Sequence, residues 1–291
     1  MTNNKNTPNN SEHKSQNQQP NLKKGSLVCV GTGMMLGAHI TPISRSHIEQ
    51  ADVVFTSGNN GFVVKWLEEM NSNVVNLQQF YQEGKPRSNT YDQMSDIMLS
   101  EMRKGKKVVG AFYGHPGVFV TPSHRAIKQA KSEGYFAKME AGISAEDCLV
   151  ADCGIDPGTY GCAMFEASQF IKFKRSVDNS AYLVLWQVGT VGDSTLTQFS
   201  TGSQYRALLV EVLSEHYPAD HQIILYQTPS LAIEQVRIDK MPLSDFINAD
   251  VNQCTTMILP PARRLMINDS ITDKIQQLDK QRQAPTLSTI K

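Results

Sequence analysis

Two phenols flank a guanidinium in the segment Phe80-Tyr81-Gln82-Glu83-Gly84-Lys85-Pro86-Arg87-Ser88-Asn89-Thr90-Tyr91. Arginine keeps its charge, and a fixed cation beside a phenol lowers the phenol's pKa from about 10, which helps a phenolate accept a proton. Arg87 and Tyr91 are four residues apart and share one face of a helix if that helix begins early enough. The residues alone leave a plainer arrangement open, with Tyr81 packed against a sheet and Arg87 and Tyr91 in a solvated cation–π contact. A second segment, Tyr113-Gly114-His115-Pro116-Gly117-Val118-Phe119, sets a Gly-Pro turn directly after the apolar run Val108 to Phe112. Its glycines leave room for a flat ring or a carboxylate to approach the main chain.

Those residues need a scaffold. Ser26 to Val30 reads as a strand that runs into the loop Gly31-Thr32-Gly33-Met34-Met35-Leu36-Gly37. A helix follows from about Ser44, whose hydroxyl can cap it, to Gln50, and Asp52 to Phe55 returns as a strand, which makes a βαβ unit. Tyr91, Met94, Ile97, Met98 and Met102 repeat at helical spacing ahead of the strand at 108–112. Ser123 can cap a helix from His124 to Glu133 that Gly134 ends, and Phe136 to Met139 is a short strand. In such a sheet, ligands sit beyond the carboxyl ends of the strands. The glycine loop is one residue too long between its second and third glycines for a dinucleotide fingerprint, and Asp52 stands before its strand rather than at its end, so a nicotinamide cofactor is not expected. Met34, Met35 and Leu36 instead suggest an apolar lip facing a cleft.

Past Gly142 the chain turns strand-rich, at Ala181 to Val188, Gln222 to Gln227 and Thr255 to Leu259, with Gln204 to His216 as a covering helix. Four parts are expected: a polar tail at 1–24, an N-terminal α/β subdomain at 25–141, a C-terminal α/β subdomain at 142–268, and a tail at 269–291 holding a short amphipathic helix. Lys and Arg number 28 against 28 Asp and Glu, so no net field recruits nucleic acid or an anionic membrane surface. No apolar run reaches membrane-span length and the N-terminus lacks a secretory core, which reads as a cytoplasmic protein. The five cysteines, Cys29, Cys148, Cys153, Cys162 and Cys254, show no metal spacing, and no metal is expected.

The G-x-G loop, the Y-G-H-P-G-V loop and Gly142-Ile143-Ser144-Ala145-Glu146-Asp147-Cys148 together resemble the tetrapyrrole methylase class of S-adenosylmethionine methyltransferases. Tyr113 to Phe119, Pro122 to Ala126, Glu133-Gly134-Tyr135, Ser144 to Cys148, Ile155-Asp156-Pro157 and Phe165 to Ser168, in that order, resemble more narrowly the borosin-type peptide backbone N-methyltransferases, over about residues 25 to 265. The resemblance implies a two-domain α/β fold with the methyl donor in the interdomain cleft, and a homodimer. Matched residue by residue, it implies a donor site of Tyr113, His115, Val118, Ser144 and Ala145, completed by Gln187, Thr228, Thr255 and Thr256. It implies catalysis at Tyr81, Arg87 and Tyr91, with Tyr91 or Tyr81 accepting the proton and Arg87 stabilising charge, and S-adenosyl-L-homocysteine as the spent donor. Some fused relatives place another tyrosine three positions before the one matching Tyr81, where this chain has Gln78.

Fused members of that family carry their methylated core at the C-terminus. Asp269 to Lys291 is too short and polar for such a core, so the expected substrate is a separate precursor peptide, in a heterotetramer of two enzymes and two peptides. The alternatives are methylation of a tetrapyrrole or another small molecule, which would need a wide basic cleft, and a non-catalytic peptide-binding dimer.

Overall fold

The computed structural model describes residues 22–58, 61–194 and 197–283. Most of the tail expected at 1–24 therefore lies outside the described residues. The first half holds β1 (Ser26–Gly31), α1 (Pro42–Glu49), β2 (Val53–Thr56), α2 (Gly61–Met70), β3 (Val74–Asn76), α3 (Arg87–Arg103), β4 (Lys107–Phe112), α4 (Thr121–Ser132) and β5 (Phe136–Met139). Leu27 to Val30 and Val108 to Phe112 are continuous buried runs, as strands covered on both faces must be. They form the centre of an all-parallel sheet in the order β3-β2-β4-β1-β5, with Leu27 opposite Val108 and Val30 opposite Ala111.

Both faces of this sheet are covered. Ile48 of α1 and Leu67 of α2 pack with Val28, Val54 and Val109, while Met94, Met98 and Met102 of α3 and Ala126 of α4 pack with Leu27, Phe55 and Phe112. Each of these large side chains contributes about 1.5–3 kcal/mol on burial. The strand order makes the chain leave β1 toward β2 and leave β4 toward β5, in opposite directions across neighbouring strands. A crevice opens where such connections part, beyond the strands' carboxyl ends.

The second half holds α5 (Ala145–Cys153), α6 (Pro157–Tyr160), β6 (Cys162–Glu166), α7 (Ala167–Lys172), β7 (Tyr182–Trp186), α8 (Ser203–Ser214), β8 (Gln222–Gln227), β9 (Arg237–Pro242), β10 (Thr256–Leu259) and α9 (Asp269–Gln283). Its sheet runs β6-β7-β10-β8-β9, parallel only between β6 and β7. The boundary expected at 141/142 falls between the last strand of one sheet and the first strand of the other. Among the described residues, no helix is long and apolar enough to cross a membrane.

Two expected caps are corrected. Helix α1 starts two residues before Ser44, because Pro42 sits at its first turn and Thr41 Oγ1 accepts from the Ser44 amide at 3.2 Å. Ser123 lies inside α4, where its hydroxyl donates to the carbonyls of Val120 and Pro116 and so ties that helix to the Gly-Pro turn.

Candidate active site

The glycine loops of the sequence meet at the crevice. Gly114 N donates to Gly33 O at 2.9 Å and Gly33 N to Gly114 O at 3.3 Å, so the turns after β1 and β4 are clipped together. A Cβ on Gly31 would stand 2.2 Å from Gly114 O and 3.2 Å from Gly142 Cα, which no side chain could satisfy. Glycine is required there because three main-chain segments converge. Ser144 caps α5 through a capping box: its hydroxyl accepts from the Glu146 amide at 3.2 Å while Asp147 Oδ2 accepts from the Ser144 amide at 2.7 Å.

Between the two sheets these loops border a cavity of about 710 Å³ whose walls include Gly33, Tyr113, His115, Ser144, Trp186 and Thr228. Its side toward β8 and β9 adds the charged residues Glu234, Arg237, Asp239 and Asp250. Tyr226, on the same wall, donates to Asp152 Oδ2 at 2.7 Å, and burial together with that carboxylate raises its pKa. A second cavity of about 340 Å³ contains Tyr81, Arg87 and Tyr91. The two share a wall of Tyr113, Val118, Phe119, Gln187, Gln227 and the turn at 252–254. Phe119 (φ 56°) and Gln187 (φ 61°), the non-glycine residues with positive φ among those described, both stand in that wall. Backbone strain of this kind persists where surrounding structure fixes a functional geometry.

Helix α3 begins at Arg87, early enough to carry Arg87 and Tyr91 one turn apart. Ahead of it, the Phe80 carbonyl accepts from Lys85 Nζ at 2.8 Å and from Thr90 Oγ1 at 3.2 Å. That folds the intervening loop back and sets the Tyr81 and Tyr91 rings edge to face with centroids 6.5 Å apart. Arg87 Cζ lies 5.9 Å from the Tyr81 ring centroid and 5.6 Å from that of Phe199, and Nη2 donates to Gln198 O at 3.1 Å. The Phe199 segment is in turn held by Asp193, a buried carboxylate whose Oδ2 accepts from the amides of Thr197 at 2.8 Å and Gln198 at 2.7 Å.

The expectation that the cation would lower its neighbouring phenol is corrected at Tyr81, whose pKa is raised. Burial is the main cause and the charge of Tyr91 adds to it; Arg87 lowers it, but by too little to prevail. The guanidinium stands over the ring rather than at the oxygen, where its pull would be stronger. Tyr113 is also raised, by desolvation first and then by the charges of Cys254 and Tyr91. The residue is 53% exposed and lines both cavities.

Of the residues expected around the donor, Tyr113, His115, Val118, Ser144, Ala145, Gln187, Thr228 and Thr256 line the larger cavity. Thr255 does not: it is fully buried, and its hydroxyl accepts from the Asn252 amide at 2.9 Å, a local turn bond. Met34 and Leu36 of the expected lip also line the larger cavity and not the one holding Arg87, while Met35 lines neither. Phe199, Gln227 and Asn252 border the smaller cavity without having been anticipated. Only their position in space brings them there; Phe199 follows Gln198 in an irregular segment with no periodicity to read.

The larger cavity suits a nucleoside bearing an amino acid: its volume lies in the range of about 300–1,000 Å³ usual for small-molecule sites. Glycine-walled loops admit a flat or extended group, and the mixed charges on the β8–β9 side suit a zwitterion. S-Adenosylmethionine is such a molecule, and Tyr113, Ser144, Ala145, Gln187 and Thr228 line the cavity that could hold it.

Comparison with known proteins agrees with this architecture. The chain is 42% identical over 88% of its length to the "Methyltransferase/ribosomally synthesized cyclic peptide gymnopeptides precursor" of Gymnopus fusipes, covering 61% of that protein. It is 40% identical over 83% of its length to a "Methyltransferase/ribosomally synthesized type I borosin cyclic peptide precursor" of Coprinopsis marcescibilis, covering 63% of it. The chain thus spans about three fifths of the length of these relatives. The crystal structure of uroporphyrin-III-C-methyltransferase from Thermus thermophilus superposes with a TM-score of 0.60 at 15% identity, over 82% of this chain and 93% of that one, and so shares the fold. Residues 26–244 match the family described as Tetrapyrrole (Corrin/Porphyrin) Methylases, and the chain belongs to that family.

Proposed function

We propose that this protein transfers methyl groups from S-adenosylmethionine, held in the larger cavity, to backbone amide nitrogens of a precursor peptide held in the smaller one. The observation that carries the reading is the shared wall: Tyr113, Val118, Phe119, Gln187, Gln227 and the turn at 252–254 border both chambers, so an activated methyl carbon in one can meet a nitrogen in the next across them. The printed names of the relatives, methyltransferase and cyclic-peptide precursor in one, support a peptide as acceptor. When bound, the donor supplies an electrophilic methyl carbon on a sulfonium.

The chain's own residues must do the rest. A peptide nitrogen shares its lone pair with the carbonyl and is a poor nucleophile until its proton leaves. As that proton leaves, negative charge spreads onto the carbonyl oxygen, where Arg87 stabilises it. The raised pKa of Tyr81 makes it a hydrogen-bond donor that keeps its proton, and Tyr91 is assigned as the acceptor, its phenolate oxygen taking the proton as the amide N–H bond breaks. The spent donor is S-adenosyl-L-homocysteine. Subdomains 25–141 and 142–268 both contribute residues to the site, and the enzyme works in the cytoplasm as a homodimer that binds two peptides. Exposed apolar residues at Leu265, Met266 and Ile267, continued by Ile271, Ile275 and Leu278 at helical spacing on α9, support self-association.

The peptide is proposed to arrive as a second chain. Incubation of the protein with donor and apolar candidate peptides, read by intact mass and fragmentation, tests this. Mass gains in steps of one methyl, localised to backbone nitrogens of the added peptide, are expected. Methylation of this chain itself would contradict supply in trans, and methylation of tetrapyrroles alone would overturn the peptide reading.

A further inference from the structure

The smaller cavity is unusually rich in carboxamides. Gln78, Gln187, Gln227, Asn252 and Gln253 all line it, and Arg87 is its one ionised side chain among the described residues. Fixed backbone groups settle which way two of these amides face. Gln78 Nε2 donates to Ser57 O at 2.5 Å; since a carbonyl only accepts, the nitrogen is the bonded atom and Oε1 is left as an acceptor. The Cys254 amide donates to Asn252 Oδ1 at 2.8 Å, which turns Asn252 Nδ2 to Gln227 Oε1 at 2.9 Å and leaves Gln227 Nε2 as a donor.

The result is one pre-oriented acceptor and one pre-oriented donor in the wall of a chamber whose one ionised side chain among the described residues is Arg87. A peptide backbone offers an N–H donor and a C=O acceptor at every residue whatever its side chains. We infer that Gln78 Oε1 and Gln227 Nε2 bind the main chain of the substrate peptide, accepting from one N–H and donating to one C=O, and so set the register in which an amide reaches Arg87. This deepens the function proposed above and rests on it. It also explains how apolar side chains, which offer nothing to hydrogen-bond, could be held in register.

The test pairs enzyme variants with backbone-edited peptides. A set of synthetic peptides in which one amide at a time is an ester removes single N–H groups. For the unaltered enzyme, an ester at the residue meeting Gln78 raises the peptide KM about threefold to tenfold, the worth of one neutral hydrogen bond. In Gln78→Met the KM for the all-amide peptide rises by a similar factor, and that same ester has no further effect. Gln227→Met raises the peptide KM comparably but stays sensitive to the ester, and calorimetric donor affinity changes less than twofold in Gln78→Met, whose residue borders the smaller cavity and not the larger. Equal ester sensitivity in Gln78→Met and the unaltered enzyme would overturn the inference while leaving the proposed function standing. A Gln227→Met change in donor affinity as large as its change in peptide KM would overturn the role given to Gln227. An unaltered enzyme that methylates no peptide would instead sink the function itself, and this inference with it.

Discussion

The two chambers differ in chemistry more than in size. The larger is bounded by glycine turns, a helix N-terminus and side chains of both charges, including Glu234, Arg237, Asp239 and Asp250. The smaller is aromatic and amide-lined, and among the described residues its only ionised group is Arg87. A mixed-charge chamber suits a ligand that brings charges of its own. A chamber with one cation and no carboxylate suits a neutral ligand that becomes negative during reaction, because the cation then has no competing partner. A carboxylate-rich tetrapyrrole fits the second chamber poorly, having several charges to neutralise and one guanidinium to do it.

That contrast predicts separable defects. The largest is expected for Tyr91→Phe, which removes the proposed proton acceptor and costs about 10²–10⁴-fold in kcat while calorimetric donor affinity changes less than twofold. A drop in donor affinity of the same size would merge the two chambers into one functional unit. Gly31→Ala acts on the other side. Its Cβ would lie 2.2 Å from Gly114 O and push the clipped loops apart, so donor affinity falls by an order of magnitude or more. Tyr81→Phe keeps the ring beneath Arg87 and loses only a hydrogen-bond donor, so turnover falls by about tenfold. The smallest effect on the donor is expected at Thr255, which lines neither chamber: Thr255→Val lowers stability by about 1 kcal/mol, read in denaturant melts, and leaves donor affinity unchanged.

The sequence was most legible where local rules decide. Leu27 to Val30 and Val108 to Phe112 are buried apolar runs with no competing interpretation, and the methionines of α3 mark its core face by spacing alone. Strand β9 was missed because it is an edge strand carrying Asp239 and Lys240 on exposed positions, so its pairing with β8 is written in main-chain bonds and not in an apolar pattern. Strand β6, half-buried along its whole length, lacks alternation in the same way. Within the site, Tyr81, Arg87 and Tyr91 could be placed together because they are close in sequence. Phe199 and Asn252 could not, since more than a hundred residues separate them from Arg87 and only the folded second sheet brings them near. The direction of the Tyr81 shift was hidden for a related reason. Spacing shows that a cation is near a phenol, but the outcome depends on burial and on whether the guanidinium faces the ring or the oxygen.

The central claim is that Arg87 acts on charge that appears only as the amide loses its proton. A single-turnover comparison of the unaltered enzyme, Arg87→Lys and Arg87→Ala, with donor and peptide both prebound, tests it most directly. The account predicts that Arg87→Ala slows methyl transfer by about 10²–10³-fold and that Arg87→Lys recovers only part of this, since lysine keeps the charge and loses the planar fork. Donor and peptide affinities should meanwhile stay within a few fold. Methyl transfer at the unaltered rate in Arg87→Ala would contradict the account.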